Sequence, residues 1–241
     1  FHAVGVIDIE TGQPLAKSGT SWTSIFSDEL IDIAREREDV VAITAAMMGP
    51  VGLTRFAKEF PKRTYDVGIA EQHAVTSAAG MAFAGLHPVV AVYSTFLTRA
   101  FDQVNLDVGL HDQPVVFCLD RAGITGDDGP SHHGILDMVL LTKVPSMTVF
   151  APSSYQEIGQ MLHDALDIND GPVAIRWAKT AARQAPPEEV GSGLNARRTR
   201  TGTQLCIVSV GKMLDAAEIA AEQLEAQGIS VTVWDARVVK P

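Results

Sequence analysis

The sequence predicts an α/β protein: a mostly parallel sheet flanked by helices, followed by the start of a second α/β domain. Three observations carry that prediction. Six short runs rich in β-branched residues occur at 40–44, 64–67, 88–93, 115–119, 147–150 and 172–176. Amphipathic segments of helical period separate them. A stretch over 185–203, with Pro-Pro-Glu-Glu, Gly-Ser-Gly and basic residues, then interrupts the pattern before it resumes as strand, helix, strand. Apolar runs bounded by turns and alternating with helices suit a parallel sheet covered on both faces. Such sheets bind their ligands at the carboxyl ends of the strands.

The elements follow in order. Helices are expected over 24–35, 53–60, 71–84, 99–108 and 154–165. The last opens with Pro152-Ser153-Ser154 and Glu157, the pattern of a capping box in which a hydroxyl and a carboxylate satisfy free first-turn amides. The 185–203 stretch reads as a linker, and its basic run Arg197-Arg198-Thr199-Arg200 as solvated. A second unit is expected from a strand over 204–210, a helix over 215–227 and a strand over 229–235. The chain therefore divides into a connecting segment 1–19, an α/β domain 20–183, a linker 184–203 and the opening of a second α/β domain 204–241.

Composition narrows the function classes. Of 241 residues, 46% are hydrophobic and 20% charged, ordinary for a globular protein. A net charge of −10 argues against nucleic acid or an anionic membrane as partner, since phosphate contacts need clustered Lys and Arg. The two cysteines, Cys118 and Cys206, each sit in an apolar strand-like run. Buried free thiols are expected, and with them a reducing, cytoplasmic setting. No signal peptide is evident, and no apolar stretch reaches the roughly 18 residues of a membrane span. Both ends read as cuts in a longer polypeptide: the chain opens Phe1-His2-Ala3-Val4 and stops just after a strand.

One segment stands out chemically. In Asp66-Val67-Gly68-Ile69-Ala70-Glu71-Gln72-His73 a carboxylate stands where a strand ends and a helix begins. The helix after it is built from small residues: Ala74, Ser77, Ala78, Ala79, Gly80, Ala82 and Ala84. Small side chains let a neighbouring backbone come close, so this helix is expected to be buried or to face a second subunit. An acid at its head is then partly desolvated. The plainer alternative is that Glu71 only complements the positive end of the helix dipole.

That segment resembles the signature of the 1-deoxy-D-xylulose-5-phosphate synthase family, relatives of transketolase. Four further stretches resemble the family in the same order: Ala-Ile-Thr-Ala-Ala-Met over 42–47, Tyr-Ser-Thr-Phe-Leu-Thr-Arg-Ala-Phe-Asp-Gln over 93–103, Asp-Arg-Ala-Gly-Ile-Thr-Gly over 120–126 with Asp128-Gly129 and Ser131-His132, and Asp-Gly-Pro-Val-Ala-Ile-Arg over 170–176. The resemblance covers essentially the whole chain, including its first four and last five residues.

It implies thiamine diphosphate as cofactor, with Mg²⁺ held by a separate N-terminal domain through a Gly-Asp-Gly motif that this sequence lacks. The implied reaction condenses pyruvate with D-glyceraldehyde 3-phosphate, releasing CO2, to give 1-deoxy-D-xylulose 5-phosphate, a precursor for isoprenoids, thiamine and pyridoxal. In such enzymes an acid hydrogen-bonded to the aminopyrimidine ring nitrogen makes the cofactor reactive, and the resemblance gives this part to Glu71. It sets Ile69 and Phe96 beside the cofactor, and Tyr93, Arg99, Arg121, Asp128, His132 and Arg176 around the substrates. Arginine suits a phosphate or carboxylate through its bidentate fork. His132 and His2 are the implied proton-exchanging groups near the reacting centre. No metal site is expected here: the loop with His132 and His133 has neither cysteine support nor helical i, i+4 pairing. A homodimer is the expected assembly.

The sequence departs from the family at Trp177-Ala178-Lys179-Thr180, where another arginine followed by glycine is usual. Without its diphosphate domain the chain is expected to be inactive alone. Two other readings stay open: the β subunit of a 2-oxo-acid dehydrogenase, and a non-catalytic dimerisation module.

Overall fold

Ser21 and Ser24 exchange hydroxyl–amide hydrogen bonds of 2.9 and 3.1 Å, and this capping box opens α1 (Trp22–Glu36). The computed structural model describes residues 7–13, 20–181 and 183–241. From α1 the chain runs through β1 (Val40–Thr44), α2 (Thr54–Glu59), β2 (Thr64–Asp66), α3 (Glu71–Phe83) and β3 (His87–Tyr93). Two short helices, α4 (Ser94–Leu97) and α5 (Phe101–Gln103), precede β4 (Val116–Asp120). Next come α6 (Asp137–Leu141), β5 (Thr148–Phe150), α7 (Tyr155–Asp167) and β6 (Val173–Arg176). Beyond them lie β7 (Arg197–Arg200), β8 (Leu205–Ser209), α8 (Leu214–Glu225), β9 (Val231–Asp235) and β10 (Val238–Lys240).

Seven strands form one sheet in the order β10-β5-β6-β4-β3-β1-β2, parallel throughout except for β10. Every residue of β1, β3 and β4 is buried, as two-sided cover by helices demands. Register sets Thr44 beside Asp66, Tyr93 beside Asp120 and Leu119 beside Arg176, so these strand ends share one carboxyl edge. The second sheet is small: β8 and β9 are parallel, and β7 is antiparallel on the other edge of β9. Its core of Leu214, Ala217, Ala221, Val231 and Val233 is separate from the main one.

All six expected strands form, each with ends within one residue of those expected. Four other expectations need correction. The helix over 99–108 is broken into turns and a wide π segment, Val104–Val108; Thr76 holds Asp107 at 2.5 Å, and Gly109 is wedged against Val144. The basic run is an edge strand instead of solvated linker. Glu218, Glu222 and Glu225, on one face of α8, all grip Arg200. Only half of the predicted capping box exists. Ser154 accepts from the Glu157 amide, but the Glu157 carboxylate turns to Ser153 and to Arg237 at 2.8 Å. Cys118 is buried but Cys206 is exposed, because the face of β8 that carries it lies open.

Strand β10 was not expected. After β9 the chain passes Arg237, whose φ is +55°, and returns to pair with β5 in the first sheet. Among the described residues no helix is long and apolar enough to cross a membrane.

Candidate functional site

The carboxyl edge of the seven-stranded sheet gathers most of the predicted site residues into two groups. The first is built on Glu71. It opens α3 directly after the β2 turn and is only 2% exposed, packed among Ala74, Val75 and Ala78. Its Oε2 lies 3.4 Å from Arg99 Nη1 but makes no hydrogen bond. A buried carboxyl oxygen in that state is costly until a donor arrives. Ile69, one turn of chain earlier, is exposed.

The second group is aromatic and cationic. Tyr93 ends β3 and Phe96 lies in α4; their rings stack 5.7 Å apart at 13°. His132 meets both edge-on, at 6.1 Å from Tyr93 and 5.3 Å from Phe96. Arg121 Cζ stands 4.0 Å over the Tyr93 ring. Burial pushes the Tyr93 phenol up, and Arg121 opposes that.

The loop after β4 carries His132 into place. Gly123 and Gly134 exchange backbone hydrogen bonds of 2.8 and 2.9 Å, closing the loop. Gly134 seats it on α4: a Cβ there would lie 2.3 Å from Ser94 Oγ and 2.7 Å from the Arg121 carbonyl. Only glycine allows that approach.

Charges around Arg121 are arranged in layers. Asp120, fully buried, accepts from Thr23 Oγ1 at 2.5 Å and faces Arg121 Nη1 at 3.1 Å. Burial pushes the Asp120 carboxyl up, while Arg121 and the bond from Thr23 pull it back. Asp128, more open, lies 2.9 Å from Lys179 Nζ and 3.9 Å from Arg121 Nε.

Arg176 stands apart from this group. Its Nε and Nη2 hold the buried Asp137 carboxylate at 2.7 and 3.3 Å, so its charge is already matched. It lines a cavity of about 650 Å³ with Trp177, Met138, Lys212 and Ile219. His2 lies outside the described residues. Among the described residues no group of three or more His, Cys, Asp or Glu side chains is placed to hold a metal ion.

Sequence reasoning missed Asp120, Thr23, Asp137 and Lys179. Asp120 lay inside a quoted motif, and Lys179 stands at the one departure from it. Thr23 and Asp137 carry no local signal, because their partners are 97 and 39 residues away.

Comparison with known proteins agrees with this architecture. Residues 18–184 match the family described as transketolase, pyrimidine binding domain, and residues 194–241 match transketolase, C-terminal domain. The chain is 52% identical over 246 residues to 1-deoxy-D-xylulose-5-phosphate synthase of Thermobifida fusca, an alignment covering 100% of this chain and 39% of that protein. It is also 52% identical to 1-deoxy-D-xylulose-5-phosphate synthase 2 of Streptomyces avermitilis, covering 100% of this chain and 38% of that one. The chain thus spans about two fifths of the length of the curated relatives it matches. Among solved structures, a split gene transketolase described as an inactive beta4 tetramer aligns with a TM-score of 0.80 at 28% identity, over 90% of this chain and 71% of that one. The R525L mutant of Pichia stipitis transketolase gives a TM-score of 0.81 over 93% of this chain and 36% of that one; at 19% identity this likeness shows the fold alone.

Proposed function

This chain belongs to the transketolase family through its pyrimidine-binding domain, and on that premise we propose that it serves a thiamine diphosphate-dependent condensation of pyruvate with D-glyceraldehyde 3-phosphate to 1-deoxy-D-xylulose 5-phosphate and CO2. The observation that carries the reading is the Glu71 carboxyl: buried, at the head of a small-residue helix, with an oxygen that no donor among the described residues satisfies. That oxygen fits a ring nitrogen of an aminopyrimidine, and the nearby Phe96 ring fits its face.

Thiamine diphosphate supplies the electron sink for carbon–carbon cleavage and formation when bound. The chain's own residues do the rest. Glu71, itself buried, holds or yields a proton at Oε2 on a helix whose Ala74, Val75 and Ala78 are also buried. Arg121 and Lys179, which share Asp128, are the cations suited to a substrate phosphate. His132, edge-on to Tyr93 and Phe96, is placed to exchange a proton with substrate oxygen. The binding parts for the diphosphate and for Mg²⁺ belong, on this reading, outside the described residues. A homodimer is proposed as the assembly, supported by the exposed Phe83 on α3 and the exposed Leu106 and Leu110 after α5.

The test is Glu71→Gln in the full-length protein, assayed with pyruvate and D-glyceraldehyde 3-phosphate. Turnover should drop about 10²–10⁴-fold, the range for a lost acid–base group. Undiminished turnover with an intact fold would overturn the proposal.

A further inference from the structure

We infer that Asp120 is a positioning residue: it sets the Arg121 guanidinium for a phosphate-bearing aldehyde while its own charge stays hidden from that phosphate. The inference rests on the reading of the site given above. Its basis is geometry that the reaction alone does not require.

Arg121 adopts a left-handed backbone, φ +62°, which is rare and strained for a residue with a Cβ. The strain is pinned from both sides. Asp120 ends β4 in register with Tyr93, and the Ala122 amide donates to the Trp177 carbonyl at 2.8 Å. This kink turns the Arg121 side chain back across the strand end. There its Nη1 finds both Asp120 Oδ1 at 3.1 Å and the Pro50 carbonyl at 3.3 Å, and its plane covers the Tyr93 ring.

The two carboxylates beside Arg121 differ in kind. The Asp120 side chain is 2% exposed and has its other oxygen tied to Thr23 on α1, so it cannot swing away. Asp128 is more open and shares itself between Arg121 and Lys179, so an incoming phosphate can take its place. A buried ion pair is weak evidence for a stabilising role, because desolvation offsets most of its Coulomb energy. A buried carboxylate that holds an arginine with one face left open is better explained as orientation. Arginine binds phosphate through a planar fork, so its orientation decides affinity.

The experiment compares two acceptors in the full-length protein: D-glyceraldehyde 3-phosphate and unphosphorylated D-glyceraldehyde. Asp120→Asn should raise KM for the phosphorylated acceptor about tenfold, the size expected from misplacing one charge-assisted contact, with a much smaller change for the unphosphorylated one. Inhibition by inorganic phosphate should weaken in parallel. Thr23→Val, which removes the second tie and is the gentler change, should show the same selectivity at smaller size; it decides the matter if Asp120→Asn does not fold. Equal losses for both acceptors, or no change for either, would overturn the inference. Arg121→Lys is the control for the underlying reading. If that variant treats both acceptors as the wild type does, the phosphate site itself is wrong; if it discriminates while Asp120→Asn does not, only the positioning role fails.

Discussion

His87, the first residue of β3, shows how one buried ring shapes the response to acid. Its Nδ1 lies 3.2 Å from Arg37 Nη2 and so accepts, while its buried Nε2 has no partner among the described residues. Burial, helped by the Arg37 charge, pushes the pKa down to about 4. The unfolded chain takes up this proton near pH 6.5 and the folded one does not until about pH 4. The group therefore leaves stability intact above pH 6.5 and lowers it as pH falls through that window, by at most about 3 kcal/mol. In thermal unfolding, His87→Gln should flatten the fall in melting temperature between pH 6.5 and 4; an unchanged slope would rule this account out. Asp39, which Arg37 holds below the usual carboxylate range, adds its own loss at lower pH, and only the comparison of variant and wild type separates the two. Single residues were legible in the sequence where chemistry and position coincided. Glu71 is such a case: an acid followed by a run of alanines declares its burial. Asp120 is the opposite case, since Cys-Leu-Asp-Arg reads as any strand ending in a polar turn. Its meaning depends on Thr23, far away in the chain.

Among the elements, the central strands were the easiest to read. Residues such as Val89–Val92 and Val116–Leu119 are apolar without alternation because helices cover both faces. The peripheral strands were not. β7 is three arginines and a threonine, and its partners are acidic residues of α8 that lie 18 to 25 residues away. β10 is three residues long and pairs with a strand nearly ninety residues earlier, which no local pattern announces. The loop that carries His132 was legible in its residues but not in its seat. What fixes it is Gly134 against Ser94, a contact of backbone with backbone-near atoms. Gly134→Ala should therefore push the loop off α4, lowering stability by about 1–3 kcal/mol as overpacking does. It should also loosen His132 from Phe96. Thermal unfolding, with the His132 ring followed by NMR, checks both; a variant as stable as the wild type would show that the loop has room to shift.

Across the whole molecule the two sheets meet at a buried polar seam of Ser153, Glu157, Asp235 and Arg237. The Ser153 hydroxyl lies 2.9 Å from Glu157 Oε2 and 2.6 Å from Asp235 Oδ2. One hydroxyl has one proton, so one of these contacts needs a proton from a carboxyl group. Of the two, Asp235 is the one that burial, then the Glu157 charge, pushes up, against Ser153, the Arg237 amide and Arg197. A raised carboxyl favours the folded state at low pH and loses that advantage as pH rises through its folded pKa. Asp235→Asn keeps a donor at every pH and should remove this fall, seen as a smaller drop in denaturant midpoint as pH rises from the usual carboxylate range, about 4, to 8. A drop equal to that of the wild type would place the proton elsewhere. The path of β10 has a topological consequence. The chain crosses between the sheets twice, once over 184–196 and again over 236–238, so the second unit is tethered at two points. Arg237 ties both crossings together, bonded to Glu157 and to the carbonyls of Ser192, Gly193 and Asn195. The second unit is thus stitched to the first at the Arg237 cluster, and residues of both units line the cavity beside Arg176 and Lys212.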